Sequence, residues 1–324
     1  MLCGWLAGTT PAAEPQFVRP HEDHRMYETR FGFLIKPLHL QVAGVAITPL
    51  ADYRDLVSSF EQGVNKDGWY YPPQSEQVTF PDPRDMSRYE RVPETKRPAH
   101  LFSLPSSHSL CIESPSSLDP REGDASFLVQ LLAYLYGTRL QVEDFQFDGK
   151  VAINQTTHPV WLHQRAIERF VTKAYAEWRA NPPDRRLRII NILYMHTKAP
   201  SYDWTWEQFL TEYLVNDALY DLCCRSGLAS EVAHERRILE LCDRLGVWRA
   251  PEAPIAALVT MRNALFHEAL WEGERPGYRN GADGFYRTAD LRTLNQRLIA
   301  ALLGGRTEYT ETQWSDYRVQ GDFV

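Results

Sequence analysis

The apolar residues of this chain follow two different periods. Over residues 26–35 and 38–47 they alternate or run together with β-branched and aromatic neighbours, separated by Lys36-Pro37, which predicts two strands. Tyr53, Leu56, Val57 and Phe60 recur at helical spacing and predict a helix over 51–62, ended before Gly63. From Gly68 to Pro98 proline and charge dominate, so loops and sheet edges are expected, with a short strand over 77–80. Residues 99–104 and 109–113 read as the arms of a hairpin around Pro105-Ser106-Ser107.

The period then changes. Phe127, Leu128, Leu131, Leu132, Leu135 and Tyr136 mark a buried helix over 124–137, stopped by Gly137. Residues 140–153 read as a strand or extended connector. Beyond them helices are expected almost throughout. They cover 160–179 (ended by Asn181-Pro182-Pro183), 185–196 with Asp184 as cap, 205–225, 230–245 ended by Gly246, 251–271, and 288–303 after a Gly-rich loop over 276–284. The fold class is therefore an α+β N-terminal domain followed by an all-α helical bundle. The boundaries expected are a tail over 1–20, the α+β domain over 21–155, the helical domain over 156–306 and a second tail over 307–324.

Composition narrows the picture. At 324 residues the chain can hold two cores, and 44% apolar with 24% charged residues is ordinary for a globular protein. Its five cysteines are odd in number and lack CxxC or Cys/His spacing, so neither a disulfide framework nor a zinc site is read, as suits a reducing cytoplasm. No run of 18 apolar residues suggests a membrane span, and the first fifteen residues lack the basic start of a signal peptide. The net charge of −7 argues against a general nucleic-acid coat. The acidity lies in the first half, with 14 basic and 20 acidic residues up to position 150 against 21 and 22 after it. Within 273–306, Arg275, Arg279, Arg287, Arg292, Arg297 and Arg306 meet only Glu274, Asp283 and Asp290, a local excess able to hold a phosphodiester or simply to form a solvated face.

The candidate chemistry sits just before that stretch, in Arg262-Asn263-Ala264-Leu265-Phe266-His267. It puts a guanidinium, a carboxamide and an imidazole on a segment that is apolar upstream. On an α-helix Asn263 lies about 100° and His267 about 140° round from Arg262, so all three share one polar arc. Arginine presents a planar fork of donors to phosphate oxygens, and histidine titrates near neutral pH. Glu268 and Glu272 are expected on the solvent face. No Ser-His-Asp arrangement, P-loop, GxGxxG, HExxH or two-metal spacing occurs.

Arg-Asn-x-x-x-His in the penultimate helix of a helical stretch resembles the R-x4-6-H signature of the HEPN superfamily, over roughly residues 158–304. The resemblance implies a helical bundle, usually dimeric, with the motif helices meeting across the subunit interface. It also implies a metal-independent, cofactor-free endoribonuclease of antiviral defence or toxin-like growth control, partnered by RNA and by an antitoxin or a phage-derived trigger. Some members are inactive modules binding RNA, nucleotide or protein, which is the alternative function. Members often set a polar residue on an earlier helix opposite the pair; Glu212, Asp217 and Asp221 are candidates, Asp217 first. Arg275, Arg279 and Arg287 would contact RNA phosphates. The Tyr found two residues after the His in one branch is Ala269 here, which puts that branch's modified-antitoxin partnership in doubt.

Overall fold

The computed structural model describes residues 26–71, 78–85, 87–92, 101–153, 164–248, 252–278 and 281–313. The first half is a set of small antiparallel sheets with two helices: β1 (Met26–Gly32), β2 (Leu40–Val42), β3 (Val45–Pro49), α1 (Tyr53–Glu61), β4 (Trp69–Tyr70), β5 (Val78–Thr79), β6 (Glu90–Arg91), β7 (Leu101–Phe102), β8 (His108–Glu113), α2 (Asp124–Tyr136), β9 (Gln141–Val142), β10 (Phe147–Asp148) and β11 (Val151–Ala152). The largest sheet has five strands in the order β2-β3-β8-β1-β9. Its pleat explains the alternation in the sequence, because His108, Leu110 and Ile112 of β8 and Val45 and Ile47 of β3 all point into the core.

Two expectations fail here for identifiable reasons. The single strand over 38–47 is a hairpin, folded at Ala43 and Gly44, whose φ angles of 47° and 75° belong to the primed turn that suits paired strands. The hairpin expected around Pro105 does not form. β7 pairs with β10, whereas β8 pairs with β1 and β3, so its arms belong to different sheets.

The second half is helical: α3 (Gln164–Ala180), α4 (Pro183–Lys198), α5 (Thr205–Arg225), α6 (Arg237–Leu245), α7 (Glu252–Asn263), α8 (Ala282–Gly304) and α9 (Glu308–Glu311). Pro182 and not Asp184 is the cap of α4; Pro183 opens the helix and Asp184 stands in its first turn, against the positive end of the dipole. Residues 307–313, expected to begin a tail, instead form a capped turn of helix with Tyr309 buried beside Arg297. Among the described residues no helix is long and apolar enough to cross a membrane.

The core does not divide at residue 155. One contiguous cluster of buried side chains runs from Phe31 and Leu110 of the sheet through Phe127 and Leu131 of α2 to Trp178, Leu219 and Leu298 of the later helices. Every residue of α2 from Asp124 to Leu135 is buried, as befits a helix apolar on nearly all sides. A smaller aromatic cluster around Phe33, Phe60, Phe102 and Phe147 closes the far side of the first half.

Two buried polar assemblies hold these layers in register. In the sheet, Leu38 N–H donates to His108 Nε2 at 3.0 Å, so the ring proton sits on Nδ1 and reaches Ser107 Oγ at 2.9 Å. Ser107 Oγ in turn accepts from Leu34 N–H. Burial, and then His39, lower the His108 pKa to about 4. Among the helices, the fully buried Glu212 of α5 accepts from His196 Nδ1 (2.9 Å), Arg292 Nη1 (2.6 Å) and Asn295 Nδ2 (3.0 Å), and Asn216 donates to Asn295 Oδ1. Burial alone would raise the Glu212 carboxyl, but His196 and Arg292 hold it below the ordinary range. Burial keeps His196 neutral.

Because His108 binds a proton at about pH 6.5 when unfolded but only near pH 4 when folded, its contribution is complete above pH 6.5 and is lost as pH falls from there to about 4. Chemical denaturation should show the parent losing on the order of 3 kcal/mol more between pH 7 and pH 4 than His108→Asn does; equal losses would mean that His108 is not held neutral. Glu212→Ala, which strands Arg292 without its partner, should lower the unfolding free energy at pH 7 by about 3–5 kcal/mol.

Candidate active site

α7 buries Ile255, Leu258 and Val259 and carries Arg262 and Asn263 at its last two positions. The backbone then changes geometry. Residues Ala264–Glu268 form a π-helical turn, closed by the N–H of Ala269 on the carbonyl of Ala264. This decides what the motif spacing means. Five residues carry a side chain about 140° round an α-helix, to the edge of the shared arc, whereas a turn bonded i to i+5 brings residues five apart closer to one face. Arg262 and His267 are five apart, and the widened turn brings Arg262 Nη1 to 3.2 Å from His267 Nε2. The same nitrogen lies 3.1 Å from Asn263 Oδ1. A guanidinium has no lone pair to offer, so in this contact Arg262 is the donor and His267 Nε2 the acceptor.

Several contacts fix this turn. Ala269 ends it in the left-handed region at φ 55°. The chain then drives Trp271 into the core against Phe209, ring centroids 5.3 Å apart. Gly284 meets that indole so closely that a Cβ there would lie 2.5 Å from Trp271 Cζ2. Glu272 is not on the solvent face as expected. Its carboxylate accepts from Gly281 N–H and Gly284 N–H, 2.8 Å each. That cap starts α8 at Ala282, inside the stretch expected to be a loop. Glu268 is exposed.

The Arg262 guanidinium covers the ring of the exposed Phe266 at 4.5 Å and that of the buried Tyr213 of α5 at 5.8 Å. Its Nε is buried with no partner. Tyr213 leads to His234, whose ring lies 5.8 Å away, nearly parallel, with the phenol oxygen 3.4 Å from Nε2. His234 owes its place to a departure from helical expectation. Ser230 N–H bonds to Glu240 and Val232 N–H to the Tyr220 hydroxyl, so the chain over 230–233 is held by side chains and a 3-10 turn (His234–Arg236) precedes α6. Burial and then the Arg262 charge push the His234 imidazole below its ordinary range. Burial and Asp217 push the Tyr213 phenol far up.

The three acidic candidates part company. Asp217 acts on both Tyr213 and His234 and pairs with Arg237 at 3.1 Å. Glu212 is consumed by the core network, and Asp221 pairs with Arg188 and Arg225. The arginines after the motif make less of a patch than their number suggests. Arg292 and Arg297 are buried, one on Glu212 and the other on Thr293 and Thr312, and Arg287 pairs with Asp290 at 3.3 Å. Arg275 is exposed, with its guanidinium over Tyr278. Arg279 lies outside the described residues. Tyr213 and His234 were not singled out from the sequence. A tyrosine four residues before Asp217 shares its helix face, which is a signal, but nothing local ties His234 to Arg262. Among the described residues no three His, Cys, Asp or Glu side chains gather closely enough to hold a metal ion.

The left-handed Ala269 supplies a check on the π turn. Ala269→Val should lower the unfolding free energy by about 1–2 kcal/mol, since a branched side chain collides with the backbone there, while Ala269→Gly should leave it nearly unchanged in urea titrations. Compared with protein-family models, curated proteins and solved structures, the chain matches none of them.

Proposed function

We propose that this chain is a metal-independent endoribonuclease of HEPN type, working in defence or growth control. The observation that carries the reading is the contact of Arg262 with His267 across the π turn. The helical second half with the motif late in it is compatible with a HEPN-like bundle, the finer reading of the fold. RNA carries its own nucleophile, so a ribose 2′-hydroxyl need only lose a proton to attack the adjacent phosphate. The positioned imidazole of His267 serves proton transfer in this reaction, as base toward the hydroxyl or as acid toward the leaving oxygen. A guanidinium beside it meets the negative charge that grows on the phosphorane oxygens, in a partly water-excluded setting where such a donor is strongest. Products would be a 2′,3′-cyclic phosphate and a 5′-hydroxyl. Asn263 orients the guanidinium, and Asp217 with Arg237 shapes the field on the α5 side. Proton transfer and charge are both supplied by side chains, so the reaction requires no metal.

His267 and Phe266 are exposed on the π turn, where a second copy related by a two-fold axis would set two motifs face to face. A homodimer is therefore part of the proposal, as is an antitoxin or phage-derived trigger.

The test is cleavage of total cellular RNA by the purified chain in EDTA, with end-group analysis. The parent should cut and leave cyclic phosphates. His267→Ala should be slower by on the order of 100-fold or more with an unchanged melting temperature. Arg262→Lys should also fail, since an ammonium cannot reproduce the fork. Undiminished cutting by His267→Ala would overturn the assignment, and RNA binding without cutting by the parent would favour the inactive binding module.

A further inference from the structure

Cleavage by this chemistry needs two proton transfers, one from the attacking hydroxyl and one to the departing oxygen. A single imidazole sits beside Arg262 in the motif, but the fold brings a second one to the Tyr213 ring that this guanidinium also faces. We propose that His234 is the second proton-transfer group of the site, taking the 2′-hydroxyl proton while His267 returns one to the leaving 5′-oxygen. This rests on the endoribonuclease reading.

The placement is what argues for it. The Tyr213 ring stands next to both groups, with the Arg262 guanidinium carbon 5.8 Å from its centroid and the His234 ring 5.8 Å from the same centroid. Arg262 contacts His267 through Nη1 and has its guanidinium carbon 5.8 Å from the centre of the Tyr213 ring, against which His234 also stands, so one cation lies near two imidazoles on different elements. The buried Arg262 Nε has no hydrogen-bond partner, which leaves an unsatisfied donor on the guanidinium of this cluster. Around His234 stand Tyr213 and Asp217 of α5, Arg237 of α6, Arg262 of α7 and Glu235 of its own turn. Burial and the neighbouring guanidinium keep the imidazole unprotonated at neutral pH, which is the state a base requires.

The step balances within one chain. His234 accepts the proton of the 2′-hydroxyl, the O2′–P bond forms, and the P–O5′ bond breaks. Protonated His267, its Nε2 released from the Arg262 contact, supplies the proton that makes the 5′-hydroxyl. The enzyme ends one cycle with the proton moved from His267 to His234, and water resets it.

A sulfur leaving group separates the two roles, because a thiolate departs without being protonated. The full chain, His234→Gln, His267→Gln and Tyr213→Phe would be assayed on an oligoribonucleotide with a 5′-oxygen and on its 5′-thio analogue, across pH, with melting temperatures alongside. His234→Gln should lose about 100-fold in kcat on both substrates, keep its KM and lose the acidic limb of the pH–rate profile. His267→Gln should recover on the thio substrate. Tyr213→Phe, which keeps the ring and drops the 3.4 Å hydroxyl contact, should shift the acidic limb without changing the melting temperature. Cutting by His234→Gln at the parental rate, or recovery of that variant on the thio substrate, would overturn the role assigned to it while leaving the endoribonuclease standing. No cutting by the parent on either substrate would overturn both.

Discussion

A carboxylate with no access to water organises the second half of this molecule. Glu212 is held by His196 of α4 and by Arg292 and Asn295 of α8, so three helices are bound at one point. Removing an ion of this size from water carries a penalty of several kcal/mol, offset only where the geometry is good and each lone pair is used. The packing of α5 against α8 therefore has one acceptable register. That register decides which face of α5 remains for Tyr213 and Asp217, one and five residues beyond Glu212, and so what meets Arg262 on α7. Stability at the centre and chemistry at the edge are consequences of one placement.

Much of the helical structure is legible in the sequence where the signals are local. α5 spans Thr205–Arg225 as its apolar spacing and the following Gly227 foretell, and α2 ends at Gly137 in the left-handed conformation that such a glycine offers. The misreadings share a cause, which is that distant groups took over backbone or charge. Glu272 turned part of a Gly-rich loop into the first turn of α8. Tyr220 and Glu240 kept 230–233 from becoming helix. The arginines that read as a surface patch include two that are buried, Arg292 on the Glu212 carboxylate and Arg297 on the Thr293 carbonyl, a distinction invisible to a count of charges.

The site shows the same division. Arg262, Asn263 and His267 are found by spacing, but the reason they touch is a π turn that ordinary helical geometry does not foresee. Asp217 stands out as a break in an apolar run. His234 does not, because its link to Arg262 passes through the ring of Tyr213 and exists only in three dimensions.

α2 is enclosed on every side, by the sheet through β8 and β9 and by α3 and α4, and Tyr134 donates from it to the carbonyl of Gln296 on α8. Such a helix works as a keel shared by both halves, and close-packed interiors transmit displacement where a fluid would absorb it. A molecule arriving at the sheet consequently finds no hinge to bend at α2. Whatever it does to the helices it must do by shifting a rod already wedged against α4 and α8, the two helices that grip Glu212.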